Sequence, residues 1–475
     1  MSNNKILRRS FIKSTAAAFA APAFLQCVHG AESPNEQLNV AVLGVRSRGL
    51  NNVEGFDGKH GCKVTTICDV DEKIGQNAAR GGKKFVRDSR EVFDDKNIDL
   101  VAIATPNHWH ALGAVWAMQA GKDVYVEKPV SHNIDESRRC VQAARKYNRI
   151  CQVGTQNRSH KSNQEAIAFL KEGGIGECNL GRSICYKPRK SIGGLGRYEA
   201  PKSVDYDLWQ GPATLRPITR PQFHYDWHWQ YHWGNGDMGN QAAHQTDIVR
   251  WGLGVDTLPE QIISYGGRLG YIDAGDVANT QVGIHLFDGG KKTIVTEIRG
   301  LPSQSYRGAG WFGLCFHGDK GYIVMNSYTK GAAYDKDGKK IKTFSGSGDH
   351  YGNFVAAVRK RDHTILNADI LVGHYSAALA HTATIAYRIG KPSSVEEIKT
   401  ELTKHKSLDN NVETLDRMVA HLKKNGVDLD KTPLQLGPVL TMDQKTEKFT
   451  NNDRANGWLS RTYRAPFVLP SEKDV

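Results

Sequence analysis

No C-x-x-C pair occurs in this chain, and its eight cysteines are scattered. With Cys27 set aside in an N-terminal segment, Cys62, Cys68, Cys140, Cys151, Cys178, Cys185 and Cys315 remain. They are too dispersed for a zinc knuckle or a dense disulfide framework. The apolar run 16–24 is too short to span a bilayer, which takes roughly 20 residues. No G-K-[ST] closes a glycine-rich loop, so a Walker-type phosphate site is excluded. Nucleic-acid motifs are also missing. The lysines and arginines behind the net charge of +13 are mixed with acids. That pattern describes a basic surface with a mild attraction for anionic glycans, not a nucleic-acid track.

What is present begins at the N-terminus. Arg8-Arg9-Ser10-Phe11-Ile12-Lys13 followed by the alanine-rich run has the form of a twin-arginine export signal over residues 1–30. Val28 and Gly30 occupy the small-residue positions of a cleavage site, while Phe24 and Gln26 flank Cys27 poorly for a lipoprotein cut. The mature chain is therefore expected in the periplasm or otherwise exported, with no membrane insertion. The twin-arginine route carries proteins that fold before crossing, often around a cofactor.

Over 36–157, apolar runs alternate with amphipathic stretches, the mark of parallel βαβ units. Strands are expected at 38–43, 63–68, 99–104, 123–126 and 150–153, and helices at 71–79, 108–120 and 133–147. Asn133 with Glu136 three residues on is a helix-start pairing, and Gly121 suits a left-handed helix end. The first strand runs into Gly44-Val45-Arg46-Ser47-Arg48-Gly49. A dinucleotide loop wants G-x-G-x-x-G there, and Arg46 replaces the middle glycine. Asp69, closing the second strand about twenty residues on, is placed to accept the ribose hydroxyls and to repel a 2′-phosphate, which favours NAD over NADP. Arg46 or Arg48 would soften that preference.

Two further segments define a family. Thr105-Pro106-Asn107-His108-Trp109-His110 ends the third of these strands, and Glu127-Lys128-Pro129 ends the next. Together they resemble the glucose–fructose oxidoreductase / inositol dehydrogenase / rhizopine catabolism (Gfo/Idh/MocA) family. The resemblance implies that Thr105, Pro106, Asn107 and His110 line the nicotinamide side, beside Glu127. It also implies that Lys128 reaches the substrate hydroxyl that loses its hydride. It continues through the glycine-rich turn 234–244, where His244 matches the family histidine of D-x-x-x-H and Asn240 stands in place of the aspartate. Residues four apart share a helix face, so Asn240 and His244 are expected to point at one substrate. Asparagine can hold a hydroxyl but cannot take its proton. Acid–base work then falls on Lys128 and His244, with Asp237 and Asp247 as compensating carboxylates. Tyr463-Arg464-Ala465-Pro466-Phe467 resembles the tail of exported bacterial members.

The implied fold is α/β: an N-terminal Rossmann domain (36–157), then an α+β domain with an open, mostly antiparallel sheet (158–440), then a tail (441–475) packed on both. Turn chemistry at 288–290, 318–321 and 335–338 marks hairpins in the second part, and 372–389 reads as a buried helix. The family also associates through exposed sheet faces, which allows a homo-oligomer.

The densest chemistry lies in Phe223-His224-Tyr225-Asp226-Trp227-His228-Trp229-Gln230-Tyr231-His232-Trp233. Histidines at 224, 228 and 232 would form one stripe on a helix, but metal-site spacing motifs are absent and no metal is expected. Indole faces stack on pyranose C–H faces and imidazoles bond hydroxyls, so Trp227, His228 and Trp229 are read as a sugar wall, with aromatic packing as the plain alternative. The resemblance implies that the basic loop 187–190, with Arg189, lies near the substrate, and a basic surface loop is the plain alternative. Free NAD is scarce outside the cytoplasm, so a tightly bound cofactor is expected, serving a sugar or glycoside dehydrogenase. The alternatives are a redox-neutral NAD-dependent glycosidase (oxidation, elimination, hydration, reduction) and a non-catalytic sugar-binding protein.

Overall fold

The computed structural model describes residues 37–475. The expected signal at 1–30 lies outside the described residues. Six parallel strands form the first sheet: β1 (Leu38–Leu43), β2 (Cys62–Cys68), β3 (Lys84–Val86), β4 (Leu100–Ile103), β5 (Asp123–Val126) and β6 (Cys151–Val153). Their order is β3-β2-β1-β4-β5-β6. β1, β4 and β5 read as nearly unbroken apolar runs because helices cover both faces of a parallel sheet. β3 was not expected from the sequence. It is a three-residue edge strand with only Val86 fully buried, too short to show a pattern. Local signals elsewhere hold: the Asn133 side chain accepts from the Glu136 amide at the start of helix Ile134–Lys146. Gly121 takes φ +83 after helix Asn107–Gln119.

The second sheet contains β7 (Cys178–Cys185), β8 (Gln261–Gly267), β9 (Thr280–Phe287), β10 (Lys292–Arg299), β11 (Phe312–Gly318), β12 (Gly321–Met325), β13 (Lys330–Asp335) and β14 (Lys340–Ser345). Their order is β14-β13-β12-β11-β7-β10-β9-β8, with β7 and β10 parallel and the other pairs antiparallel. The three expected turns join β9 to β10, β11 to β12 and β13 to β14. Alternation divides each central strand between two layers. Ile262 and Ile294 face helices Ala242–Gly252 and Ile370–Arg388, while Ile263 and Val295 face helices Val395–Thr403 and Asn411–Lys424. The latter two helices therefore cover this face of β8–β10.

The core of the first sheet draws on distant chain. Phe354, Val355 and Val358 from helix His350–Lys360 pack with Val40, Val42 and Tyr125. Phe467, Leu469 and Val475 pack with Trp109 and Leu112. Near the site, the expected single helix through Asn240 and His244 is broken. Gly236–Gly239 forms one short turn and Ala242–Gly252 the next helix, with Asn240 at φ −91, ψ −74 between them. Two glycines in the first turn weaken its helical continuity.

Candidate active site

A cavity of about 600 Å³ runs along the carboxyl ends of the first sheet, where the strand order reverses between β1 and β4. Open α/β sheets place ligands in that crevice. At one end, Gly44 adopts φ +75, and a Cβ there would sit 2.8 Å from the Ala104 carbonyl oxygen. A Cβ on Gly49 would lie 1.8 Å from the Gly44 carbonyl oxygen, so Gly49 serves loop packing and does not line the cavity. Arg46, Ser47 and Arg48 do line it. Asp69 accepts hydrogen bonds from the Val45 amide (2.8 Å) and the Asp71 amide (2.9 Å). Burial raises its carboxyl to about 6 against those bonds.

At the other end, Thr105, Pro106, Asn107, His110, Glu127 and Lys128 converge with Asn240 and His244. Glu127 is paired with Arg48 at 2.7 Å. Lys128 Nζ donates to the backbone carbonyl (2.9 Å) and side-chain oxygen (3.0 Å) of Asn240. Burial lowers the Lys128 amine to about 8, with Glu127 opposing the shift. His244 is 4% exposed, and its Nδ1 has no partner. Burial first, then the positive charges of Lys128 and Arg48, hold it well below the ordinary histidine range, so its ring is neutral.

A roof from the second half of the chain lies over part of the groove. Residues 203–205 bond the backbone of 70–72, through Glu72 N to Ser203 O (2.8 Å) and Asp205 N to Val70 O (2.9 Å). His224 Nε2 sits 3.0 Å from Asp71 Oδ2. Across the groove, His108 Nε2 lies 2.8 Å from the Trp209 carbonyl oxygen, and Trp109 Nε1 donates to that of Leu208 (3.0 Å). Arg464 pins the roof from the tail through Asp207 (2.8 Å). Leu208, Trp209, His224, Tyr225, Trp227 and His228 face the cavity from this segment.

Two family models match: residues 38–155 fit "Oxidoreductase family, NAD-binding Rossmann fold" and residues 191–421 fit "Oxidoreductase family, C-terminal alpha/beta domain". This chain belongs to the Gfo/Idh/MocA oxidoreductase family. Glycosyl hydrolase family 109 protein 2 of Shewanella sp. (strain ANA-3) is 30% identical over 175 residues, 31% of this chain and 38% of that protein. Levoglucosan dehydrogenase of Pseudarthrobacter phenanthrenivorans is 26% identical over 283 residues, 55% of this chain and 64% of that one. The matched stretch thus spans well under half of the hydrolase and less than two thirds of the dehydrogenase. Among solved structures, levoglucosan dehydrogenase in complex with NADH and levoglucosan superposes with a TM-score of 0.56 at 20% identity, covering 74% of this chain and 96% of that one. The WlbA dehydrogenase of Bordetella pertussis, in complex with NADH and UDP-GlcNAcA, gives 0.55 at 18%, covering 73% and 94%. These structures share the fold.

Within this Gfo/Idh/MocA chain, four expected substrate residues stand elsewhere. Asp247 is fully buried, bonded to Arg158 (2.8 Å) and to the Ser376 hydroxyl (2.6 Å), and is a core ion-pair member. Asp237 holds Arg189 in a two-point pair (2.6 and 2.7 Å), and neither lines the cavity. The Arg189 guanidinium lies 5.1 Å over Trp229, which is 5% exposed and packs with Ile192, Ala274 and Val277. Trp229 is thus core, whereas Trp227 and His228, stacked at 3.7 Å, do face the cavity. The reason is local: Asp226–Trp229 forms one 3₁₀ turn, which sends adjacent side chains apart. The three histidines of the stripe part company, His224 toward Asp71, His228 toward the Tyr225 carbonyl and His232 toward the Thr214 carbonyl. Among the described residues no three His, Cys, Asp or Glu converge as a metal site, and no helix is long and apolar enough to cross a membrane.

Gln156, Gln241 and Tyr328, which carry no motif in the sequence, also line the cavity. Gln156 follows β6, a strand-end position where α/β sheets collect ligand groups, and that signal was legible. Gln241 donates to the Tyr328 hydroxyl (2.7 Å), and Tyr328 stacks on Phe312 at 4.4 Å. Tyr328 sits in a loop after β12, and nothing in its local sequence marks it.

Proposed function

We propose that this chain is an exported NAD-dependent oxidoreductase acting on a ring hydroxyl of a sugar or glycoside, with its cofactor tightly held. One observation carries the reading: a single roofed cavity joins Asp69 and the Gly44 loop to Lys128, Asn240 and His244. The residues fit the dinucleotide. Gly44 packs its backbone against Ala104 at the cavity wall, where a Cβ would clash, and two lining residues, Thr105 and Gln156, each carry a buried side-chain oxygen without a partner. Gly44, Arg46, Ser47 and Arg48 would hold the pyrophosphate, Asp69 the ribose, and Thr105 to Asn107 the nicotinamide side. Bound NAD supplies the acceptor and donor of a hydride.

The chain's own residues handle the proton. Lys128, with its amine lowered to about 8, takes the hydroxyl proton in its neutral form. Asn240 holds that amine in place through two oxygens and takes no proton itself. His244, neutral with a free ring nitrogen, bonds the same or the adjacent hydroxyl. Trp227 and His228 give a flat wall for a sugar ring. The roof, fastened on both sides of the groove, supports a cofactor that stays through turnover. Export rests on Arg8-Arg9 and the apolar run after it.

A redox-neutral glycosidase is the second reading. The match to glycosyl hydrolase family 109 favours it, and a roof bonded to the first domain would suit a nucleotide kept through a closed cycle. Native mass spectrometry of the folded protein reads the bound nucleotide. Absorbance near the reduced-nicotinamide band during addition of a glycan library, beside release from chromogenic glycosides, then separates the two. Nucleotide-free protein that prefers NADP and reacts with neither class would overturn both.

A further inference from the structure

His110 is 2% exposed, and each of its ring nitrogens faces a backbone carbonyl. Nδ1 lies 2.7 Å from the oxygen of Pro129, and Nε2 lies 2.7 Å from the oxygen of Thr105. A carbonyl oxygen can only accept. A neutral imidazole carries one N–H, so it could satisfy one of these oxygens and would press a lone pair against the other. Only the doubly protonated ring donates to both.

We propose that His110 is held as an imidazolium that ties the Thr105 loop to the Glu127–Pro129 turn, and that it is a positioning residue which fixes Lys128 and disfavours its ammonium form.

The surroundings are consistent with a fixed cation. Glu127, Lys128 and His228 are the titratable groups that act on or are acted on by this ring. Glu127 is 4% exposed and close enough to favour the charged ring, although it also serves Arg48. Burial and the Lys128 charge hold the His110 pKa below the ordinary histidine value, while the two carbonyls and Glu127 act against them. The neutral ring would forfeit one buried hydrogen bond and turn a lone pair toward a carbonyl oxygen 2.7 Å away. A positive charge beside the turn penalises a second one on Lys128, which keeps more of that amine neutral near neutral pH. The ring also ties together the loops that leave the adjacent strands β4 and β5, since it meets one carbonyl from each.

The protonation state stands on geometry, and the effect on Lys128 rests on the oxidoreductase reading above. Neutron diffraction from deuterium-exchanged crystals of the full chain near pH 7 reads the first directly. Deuterium on both Nδ1 and Nε2 is expected, and a single deuterium overturns the proposal. For the second, His110→Gln keeps a donor for one carbonyl but no charge. The acid limb of its kcat/KM profile should move up by about one pH unit, so that below the limb the rate falls about tenfold. A wild-type limb in this variant overturns the positioning role. If His110→Gln does not fold, the neutron result on the unaltered protein still decides the first claim. A doubly deuterated ring in a protein that oxidises no sugar would refute the proposed function and leave the imidazolium standing.

Discussion

Lys128 offers the sharpest test, because burial sets its state by a calculable amount. An ordinary lysine at 10.5 is neutral in only about 0.03% of molecules at pH 7, whereas at about 8 the neutral share is about 9%. Burial and the neighbouring positive charges together thus multiply the working base by about 300-fold, provided the amine stays anchored on Asn240. The proton must be absent before Lys128 can act, so activity rises with pH. Single-turnover reduction of bound nicotinamide should climb about tenfold per pH unit below 7 and flatten above 8. Lys128→Met should slow this step by about 100-fold or more while bound NAD persists. A rate independent of pH between 6 and 9, or near-normal turnover in Lys128→Met, would refute the reasoning. Because the neutral His244 does not titrate in that window, a second limb there would also count against it.

Asp69, raised to about 6 by burial, should lose its grip on the ribose as it protonates. NAD dissociation should therefore quicken as pH falls below 6, and Asp69→Asn should remove that dependence, as followed by fluorescence of the bound nucleotide. Trp227→Ala should raise the apparent substrate constant with little change in melting, whereas Trp229→Ala should cost about 3–5 kcal/mol of stability. Thermal melting beside kinetics separates the wall from the core. Asp247→Ala strands Arg158 in the interior and should destabilise by about 3–5 kcal/mol. Reduced catalysis in an Asp247→Ala protein of unchanged stability would instead restore that residue to the site. Glu297, facing Arg182, Arg299 and Arg417, is buried, yet those three arginines hold its carboxyl at about 2. Because its folded value lies below the ordinary 4.5, its stabilising share is complete above that pH and is lost as pH falls toward 2. Acid melting of Glu297→Gln should lack that limb.

Much of the architecture could be read before any tertiary contact was known. The parallel strands announce themselves as short apolar runs because both faces of β1, β4 and β5 are buried, and burial is written residue by residue. Asn133, Gly121 and the hairpin turns act within three or four residues, so their chemistry is local. Lys128, Asn240 and His244 were legible as types on marked segments, even though the helix assumed to join the last two is broken. What only the tertiary structure decided concerns which side of a residue meets what. Trp227 and Trp229 are two apart with the same side chain, and a single 3₁₀ turn sends one to the cavity and the other to Ile192 and Val277. Asp247 lies three residues past His244 on one helix, but Arg158 and Ser376 come from elsewhere to claim it. The roof depends on bonds between residues more than a hundred positions apart, such as His224 with Asp71. Periodicity and spacing carry information over one helical turn or one strand. Pairings across the fold depend on where those elements pack, and that is settled only by burying all the apolar faces at once.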